Sequence, residues 1–365
     1  MLISATVSAP AKLVLTGEYA VLEPDERAVV AAVDRFTDAR VTPADRMRLT
    51  APALDLSEAD ARYEAGRWAL VTPHAKASFV TEALSTTLAY LEEGGTEIEA
   101  FHLEISPALA EGGVKIGLGG SAATTVAVVG AVLKAFGEAA DPMVVYRLGA
   151  IAHLRAQGSG SGIDVAASAF GGVLAFSGHH PAWLEQRVSQ VASVRELVEG
   201  PWPHLSIERL NWPQGWLLLA GWTGTSASTP KFLSKVERLK ASGDAGYPTF
   251  LVQMRQSSQA LVMGLKAHDA DACREAITTG RAAMHTLGDA LGVSLETPDL
   301  TRLAEAARAC GTAGKPSGAG GGDCGIAIAF DPAQADCVTT GWNRVGIRPL
   351  SLAIAGRGLS TPTVG

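Results

Sequence analysis

The chain of 365 residues has no apolar run long enough to cross a membrane, and its first four residues carry no basic side chain. We therefore expect neither a membrane span nor an export signal. Basic residues are in the minority, because 30 Lys and Arg stand against 37 Asp and Glu, and no basic run occurs. The net charge of −7 argues against a nucleic-acid partner. An anionic ligand must then be met by a local cluster of charge.

Cysteine is also scarce, and nothing in its spacing indicates a metal site. The four cysteines form no Cys-x-x-Cys pair and have no nearby histidine: Cys273, Cys310, Cys324 and Cys337. We interpret all four as free thiols and expect a cytoplasmic protein, because thiols stay reduced there. The adjacent His179 and His180 would point apart and have no third ligand, so they indicate no metal either.

The length and the 47% hydrophobic content predict one large or two medium domains with an ample core. Strand-like segments at 2–7, 11–16, 28–41, 217–220 and 326–330 alternate with helix-like segments at 75–93 and 124–136. Thr229-Pro230 and Thr297-Pro298 each predict a helix start, and Gly311 predicts a helix end. The fold class expected is α/β (α+β). An irregular stretch at 178–215 marks the crossover, which gives domains 1–215 and 216–365.

The segment 315–325 is the most informative part of the chain, because five of its eleven residues are glycine. Glycine lets backbone approach another group closely, and an apolar strand-like run follows directly. Lys315 and Ser317 at its start suit a phosphate-bearing ligand. A tight turn between core elements explains the glycines equally well.

A second glycine-rich segment, 115–123, precedes a small-residue helical run. Ser121 would lie near the helix start, where free backbone N–H groups and the positive dipole end favour an anion. The spacing of Gly117, Gly119 and Gly120 matches neither the Walker loop nor the Rossmann fingerprint.

Two charged residues interrupt apolar or small-residue segments. Asp164 follows the glycine- and serine-rich loop 157–162; it either accepts a proton from a substrate or caps the next helix. Lys12 interrupts a strand-like run and either points into a site or faces water from an edge strand.

A cluster of hydroxyls precedes the helix predicted at 229. Ser226, Ser228 and Thr229 stand beside Lys231, and together with the helix N-terminus they could bind a substrate phosphate. Ordinary capping explains Thr229 but leaves the other hydroxyls without a role.

These segments together resemble the GHMP kinase superfamily over nearly the whole chain. The first motif of that superfamily is similar to Pro10-Ala11-Lys12 through Gly17-Glu18-Tyr19, the phosphate loop to 117–123 and the third motif to 315–325. Within the superfamily the phosphomevalonate kinases are the most similar. Segments 16–22, 157–166 and 221–229 and the pair Asp323-Cys324 carry that likeness.

Two positions depart from the patterns of the superfamily. The first serine of the usual phosphate loop is Gly120 here, whereas the metal-contacting serine is kept as Ser121. His153 stands eleven residues before Asp164, where mevalonate kinases have a metal-binding glutamate. Histidine at that place is familiar in phosphomevalonate kinases, but it leaves few protein ligands for magnesium.

The resemblance implies two α/β domains with the active site in the cleft between them, and ATP with Mg²⁺ as cofactors. The implied reaction is phosphorylation of 5-phosphomevalonate to its diphosphate in the mevalonate route to isoprenoids, by a monomer or homodimer. The implied catalytic residues are Lys12 and Asp164. The implied cofactor contacts are Lys115, Gly117, Leu118, Gly119, Gly120, Ser121 and Ala122, with Ser121 also binding the metal. The implied substrate contacts are Glu18, Tyr19, Ser161, Gly162, Ser226, Ser228, Thr229, Lys231, Ser317, Gly318, Ala319 and Gly320.

Alternative functions stay open on the sequence. A mevalonate kinase would need Asp164 as a true base, because its acceptor is a hydroxyl. A kinase that phosphorylates and then decarboxylates its substrate is a further relative. A non-catalytic binding protein on the same fold is the alternative from another class, since fold alone does not define function.

Overall fold

The structure is a computed structural model that describes residues 1–107, 110–111, 114–115, 117–158, 160–224 and 229–361. Side chains are described for these residues except at 107, 110–111, 114–115 and 229–231. No helix in this part of the chain is long and apolar enough to span a bilayer.

The described residues form fourteen strands and eleven α-helices, with short 3₁₀ turns between some of them. The strands are β1 (Ala5–Thr16), β2 (Ala28–Pro43), β3 (Arg48–Ala51), β4 (Leu56–Glu64), β5 (Arg67–Leu70), β6 (Phe101–Pro107), β7 (Ala110–Glu111), β8 (Val114–Lys115), β9 (Val173–Ser177), β10 (Ser206–Leu210), β11 (Leu217–Trp222), β12 (Gly314–Pro316), β13 (Cys324–Ala329) and β14 (Arg348–Leu350). The helices are α1 (Ser78–Glu93), α2 (Gly120–Ala135), α3 (Pro142–Gln157), α4 (Ile163–Phe170), α5 (Pro181–Gln190), α6 (Val194–Glu199), α7 (Thr229–Ser242), α8 (Gly246–Ala267), α9 (Ala270–Leu291), α10 (Pro298–Ala309) and α11 (Pro332–Arg344).

The first half of the chain builds one large sheet in the order β10-β9-β2-β6-β3-β4-β5, with β1 paired along β2. Its pairs are antiparallel apart from β3 with β6. Helix α2 packs on β1 and β2 and contributes a run of fully buried side chains from Val126 to Leu133. The small and β-branched residues that fill α2 let the helix lie close to the sheet, and its first turn therefore sits beside β1.

The second half forms a smaller antiparallel sheet in the order β12-β13-β11-β14. The long helices α8 and α9 pack against each other and against the end of β1, while α10 and α11 cover the small sheet. The indole of Trp342 is buried there and donates to the carbonyl of Leu303 at 2.9 Å. The strand predicted at 326–330 is confirmed as the fully buried β13, which begins two residues earlier and ends at Ala329, so that Phe330 lies outside it.

The C-terminal tail leaves the small sheet and returns to the large one. Ile354 bridges Val33, and Ser360 bridges Ser8 on β1. The tail crosses the end of α4, where Leu359 N donates to the carbonyl of Ala169 at 3.2 Å. The division into domains at residue 215 stays a prediction. The change of sheet between β10 and β11 supports it, but the tail belongs spatially to the first half.

Strand β1 is longer than expected. The sequence predicts two strands separated by the Ser-Ala-Pro segment before Ala11, but β1 is one strand of twelve residues. A register shift between Pro10 and Ala11 absorbs the proline. Bulges are among the few places where a sheet accepts a residue without an N–H donor.

The expectation of four free thiols is wrong. Cys310 at the end of α10 and Cys337 in α11 form a disulfide, with their Cα atoms 5.8 Å apart. Cys273 and Cys324 are buried thiols, and burial raises the pKa of each to about 12. The separation of 27 residues between the two cysteines of the disulfide does not by itself indicate a disulfide. The packing of α10 against α11 created the pair.

Gly171 ends α4 where the tail crosses it, and its conformation yields a first prediction. Its φ of 69° and ψ of −177° lie in a region that is essentially restricted to glycine. A Cβ here would also lie 2.2 Å from the backbone of Arg357 and Gly358. Gly137 also has positive φ, but nothing lies within 4 Å of its Cβ position. We expect Gly137→Ala to cost about 1 kcal/mol of unfolding free energy, and Gly171→Ala at least twice that. Urea unfolding of both variants checks this, and equal losses would show that the tail does not press on α4.

Candidate functional site

A cavity of about 450 Å³ opens where β1, the start of α2, the start of α4 and the glycine loop 317–323 come together. The glycine loop is the segment between β12 and β13. The cavity is lined by Lys12, Val14, Gly17, Glu18, Tyr19, Val21, Leu22, Phe79, Gly117, Gly119, Gly120, Ser121, His153, Gln157, Gly160, Ser161, Gly162, Ile163, Asp164, Val165, Leu233, Gly318, Ala319 and Asp323.

Lys12 faces this cavity rather than water. Its side chain is buried on β1, and its Nζ lies 3.3 Å from Oδ1 of Asp164. Its backbone N–H donates to the carbonyl of Leu118 at 3.0 Å, which ties β1 directly to the phosphate loop. The alternative of a solvent-facing edge lysine is therefore wrong. A lysine that faces a cavity in this way can attract a phosphate.

Asp164 is not a helix cap. Helix α4 begins at Ile163 with Gly162 as its N-cap, and no side chain caps it. Asp164 lies in the first turn and directs its carboxylate at Lys12. The capping alternative is therefore also wrong.

Gly162 has φ of 77°, and a Cβ there would come within 2.9 Å of the Tyr146 hydroxyl. The hydroxyl of Tyr146 in turn lies 3.3 Å from Nδ1 of His179. Burial lowers the pKa of His179 to about 4, so this imidazole is neutral at physiological pH. The Tyr146 hydroxyl therefore leaves room only for a glycine at position 162. The neutral His179 places no charge near Asp164.

The phosphate loop brings backbone to the cavity at two glycines of positive φ. A Cβ on Gly119 would lie 2.8 Å from Cε of Lys12, and one on Gly117 would lie 2.7 Å from Oδ2 of Asp323. Helix α2 starts at Gly120, with no acidic residue in its first turn. The positive end of a sixteen-residue helix and an ammonium group thus face one space, and that combination favours a bound phosphate.

Ser121 is held by a histidine. Its Oγ lies 3.3 Å from Nε2 of His153, whose ring packs against Phe79 with centroids 4.7 Å apart. Burial lowers the pKa of His153, although the nearby Asp164 carboxylate raises it in part. A neutral imidazole orients the hydroxyl without adding a positive charge beside a metal or phosphate.

The residues present fit a magnesium ion that is bound largely through the nucleotide. No group of three or more His, Cys, Asp or Glu side chains suited to a metal occurs in the described part of the chain. Mg²⁺ keeps several waters and is commonly held by one or two protein oxygens together with substrate phosphates. The hydroxyl of Ser121 at the helix start is one such oxygen.

The glycine loop divides into residues that reach the cavity and residues that hold the loop. Gly318 and Ala319 line the cavity. Ser317 and Gly320, which we also expected to contact substrate, contact protein instead. The Ser317 hydroxyl accepts from Val14 N and donates to Val14 O, each at 3.0 Å. Gly320 packs on the carbonyl of Leu295, where a Cβ would lie 2.4 Å away.

Lys315 at the start of this segment has no access to a ligand. Its side chain is fully buried and donates to Glu18 and to the carbonyl of Pro316. Glu18 and Tyr19 line the cavity, and both also contact the glycine loop, because Glu18 accepts from Gly318 N and the Tyr19 hydroxyl donates to the carbonyl of Ala319 at 2.7 Å.

Several expected contacts do not reach the cavity through their side chains or are not described. Leu118 and Ala122 are buried in the core, so any contact they make with a nucleotide is through backbone. The side chains of Lys115, Thr229 and Lys231, and all of Ser226 and Ser228, lie outside the described residues. The start of α7 is nevertheless close, because Leu233 lines the cavity one turn into that helix.

Three kinds of cavity residue escaped the sequence reasoning. Asp323 ends the glycine loop with φ of 50° and touches Gly117. An acidic residue that closes a glycine run was a usable signal. Phe79 and Leu233 lie on helices far apart in sequence, and no motif marks them. Val21 and Leu22 follow the first motif directly and form an apolar part of the wall.

Comparison with known proteins identifies the family to which the chain belongs. The family model for the GHMP kinases N terminal domain matches residues 78–172, and that for the GHMP kinases C terminal domain matches 263–348. A phosphomevalonate kinase from Streptomyces sp. strain CL190 is 35% identical over 364 residues, covering 96% of this chain and 97% of that protein. The chain belongs to the GHMP kinases, and it is a phosphotransferase.

Two further proteins are similar to this chain. A mevalonate kinase from Thermococcus sibiricus is 29% identical, over 96% of each chain. The solved structure of Streptococcus pneumoniae phosphomevalonate kinase in complex with phosphomevalonate and AMPPNP has a TM-score of 0.83 at 24% identity. It covers 96% of this chain and 99% of that one. The predicted α/β GHMP kinase fold is confirmed, and GHMP kinases use ATP.

The fit of Gly119 against Lys12 yields a prediction on nucleotide binding. We expect Gly119→Val to displace the Lys12 side chain, to fill the approach to the helix N-terminus and to weaken ATP binding at least about 10-fold. Gly66→Val is the matched control, because Gly66 has a similar positive φ and no atom within 4 Å of its Cβ position. Calorimetric titration of both folded variants with a non-hydrolysable ATP analogue measures this. Unchanged affinity in Gly119→Val would show that the loop is only a turn.

Proposed function

We propose that the protein transfers the terminal phosphoryl group of ATP to the phosphate of 5-phosphomevalonate, giving 5-diphosphomevalonate and ADP. The observation that carries the proposal is the Lys12–Asp164 pair, which lies beside the positive end of α2 in one cavity. The similarity along the whole chain to a phosphomevalonate kinase supports this choice of acceptor.

The reaction needs little proton transfer, because an acceptor phosphate is largely ionised near neutral pH. Its oxygen attacks the γ-phosphorus, the bond to the bridging oxygen breaks, and ADP leaves with the electron pair. Positioning and neutralisation of charge supply most of the barrier reduction. Lys12 offsets the repulsion between the two approaching anions, and Asp164 orients Lys12.

The phosphate loop would hold the ATP phosphates through the backbone of Gly117, Gly119 and Gly120 and through Ser121. Mg²⁺, when bound, neutralises charge on the β- and γ-phosphates. Ser121 would be its protein ligand, and His153 would fix the direction of the Ser121 hydroxyl. The packing of His153 against Phe79 would hold the imidazole in that orientation.

The acceptor would lie between the glycine loop and the start of α7. Glu18, Tyr19, Ser161 and Gly162 line that space together with Gly318 and Ala319. The phosphate of 5-phosphomevalonate would bind near the start of α7, where the sequence carries Ser226, Ser228, Thr229 and Lys231. The position of Leu233 in the cavity wall supports this placement.

Phosphorylation of mevalonate itself is the second candidate, and the similarity to a mevalonate kinase favours it. In that reaction Asp164 would remove a proton from a hydroxyl. A non-catalytic binding protein on the same fold is the alternative from another class. Release of ADP with mevalonate, 5-phosphomevalonate, 5-diphosphomevalonate, homoserine and galactose separates these functions, and no turnover with any of them would favour the last.

The choice of acceptor can be tested by comparing the rates with the two acceptors. We expect kcat/KM for 5-phosphomevalonate to exceed that for mevalonate at least about 100-fold, because mevalonate leaves the donors of a phosphate site unpaired. Initial rates from a coupled ADP assay measure both constants. A higher kcat/KM with mevalonate would overturn the assignment to the phosphate acceptor.

Substitutions of Lys12 and Asp164 distinguish transfer to a phosphate from transfer to a hydroxyl. For a phosphate acceptor we expect Lys12→Ala to lower kcat about 10²–10³-fold, by analogy with loss of one group that stabilises charge in a transition state. Asp164→Asn keeps its shape and should cost less, through misplacement of Lys12. The measurement is kcat at saturating ATP across pH, with the melting temperature of each variant as the control for folding. A much greater loss in Asp164→Asn, with an acidic limb removed from the pH profile, would favour a hydroxyl acceptor and a base.

A further inference from the structure

A buried ion pair joins the end of β1 to the start of the glycine loop. Nζ of Lys315 donates to Oε1 of Glu18, and the two side chains are 0% and 2% exposed. Lys315 also donates to the carbonyl of Pro316 at 2.7 Å. The residues are 297 positions apart in the sequence, so only the fold brings these charges together.

The surroundings of the pair belong to the protein interior. The stem of Lys315 passes close to Gly280 of α9, beside the hydroxyls of Thr16 and Ser257, which lie 2.6 Å apart. Ser257 donates onward to the carbonyl of Ala276. Two charges removed from water in this way are costly unless they stay paired, so each one fixes the position of the other.

The same carboxylate also holds the glycine loop. Oε1 of Glu18 accepts from the backbone N–H of Gly318 at 3.4 Å, and the neighbouring Tyr19 hydroxyl donates to the carbonyl of Ala319. Gly318 and Ala319 are the two residues at the start of the loop that line the cavity. Oε2 of Glu18 is buried with no hydrogen-bond partner among the described residues, so the direction of the carboxylate depends on Oε1.

We propose that Glu18 and Lys315 are positioning residues of the phosphoryl transfer: the pair sets the distance between the glycine loop and the strand that carries Lys12. Lys315 therefore acts on the acceptor through Glu18 and Gly318 and does not touch it. The inference rests on the proposed function only for the acceptor used in the kinetic assay.

The test compares Lys315→Met with a matched control. Met keeps an unbranched stem of similar volume but leaves Glu18 as a buried carboxylate without its cation. Arg255→Met also removes the cation from a buried carboxylate, Glu26, at a place outside the cavity lining, although Arg255 itself is half-exposed. Both variants thus leave a carboxylate without its cation, and they differ in whether the pair holds the glycine loop.

The first readout needs no substrate. We expect amide hydrogen exchange in a peptide covering 317–323 to be at least about 10-fold faster in Lys315→Met than in the parent protein. In the variant the glycine loop can open without breaking the buried ion pair between residues 18 and 315. In Arg255→Met the same peptide should exchange at the parent rate. Equal exchange in the two variants would overturn the proposal.

The second readout is the division of the effect between KM and kcat. We expect Lys315→Met to raise KM for 5-phosphomevalonate and to lower kcat, each about 10-fold, since small misplacement of a reacting group costs up to about 100-fold. The dissociation constant for an ATP analogue should change less than about 2-fold. A role limited to stability would lower the melting temperature, as in Arg255→Met, and leave KM unchanged; that result would refute the proposal.

The double variant Glu18→Gln/Lys315→Met keeps the test decisive if the single variant does not fold. With no unpaired buried charge left, it should melt at a higher temperature than Lys315→Met. We expect its loop exchange and its KM to remain raised, because the tie between β1 and the loop is still missing. Parent values for both would refute the positioning role. Failure of the parent protein to use 5-phosphomevalonate would overturn the proposed acceptor, and the exchange result would still decide the role of the pair.

Discussion

The site depends on a close approach of the phosphate loop to β1. The hydrogen bond from Lys12 N to Leu118 O places Gly119 against the Lys12 side chain, where no Cβ fits. This contact puts an ammonium group, the N-terminus of α2 and the Asp164 carboxylate around one space. Because α2 also packs on β1 and β2, the same contact couples the core of the large sheet to the geometry of the site.

Positive charge is used locally in this acidic protein. Lys12 and Lys315 are both buried, and each is paired with one carboxylate, yet their surroundings give them different roles. The partner of Lys12 is about one-third exposed at the edge of the cavity, so an incoming phosphate can share the cation. The partner of Lys315 lines the cavity but is only 2% exposed, and Lys315 itself is fully buried, so that cation contacts only protein groups. Burial of the partner, rather than the lysine itself, separates a charge available for chemistry from one used for structure.

Neutral groups surround the charged ones. His153 beside Ser121 and His179 beneath Gly162 both have their pKa lowered by burial, and neither adds a cation to the cavity. Their contacts instead orient a hydroxyl and support the turn that begins α4. The proposed transfer between two anions then relies on the helix dipole, Lys12 and the metal for its positive potential. Such a site is sensitive to misplacement of any one of these groups, and this gives the tie between Glu18 and the glycine loop its importance.

The local features could be predicted from the residues alone: the glycine segments, the helix after 115–123, the strand after 315–325, the N-cap at Thr297 and the likeness to the GHMP kinases. These follow from backbone preferences and from residues close together in the chain. Pairings between distant residues were decided by tertiary structure. Lys315 precedes a glycine-rich segment, as a phosphate-binding lysine would. Its burial against Glu18 prevents it from contacting a ligand. Ser317 likewise bonds to Val14, and Cys310 meets Cys337. Asp164 could equally cap a helix until the fold placed it 3.3 Å from Lys12. The physical reason is that burial and partner choice depend on which surfaces pack together, and a local pattern carries no information about the residue that will face it across the core.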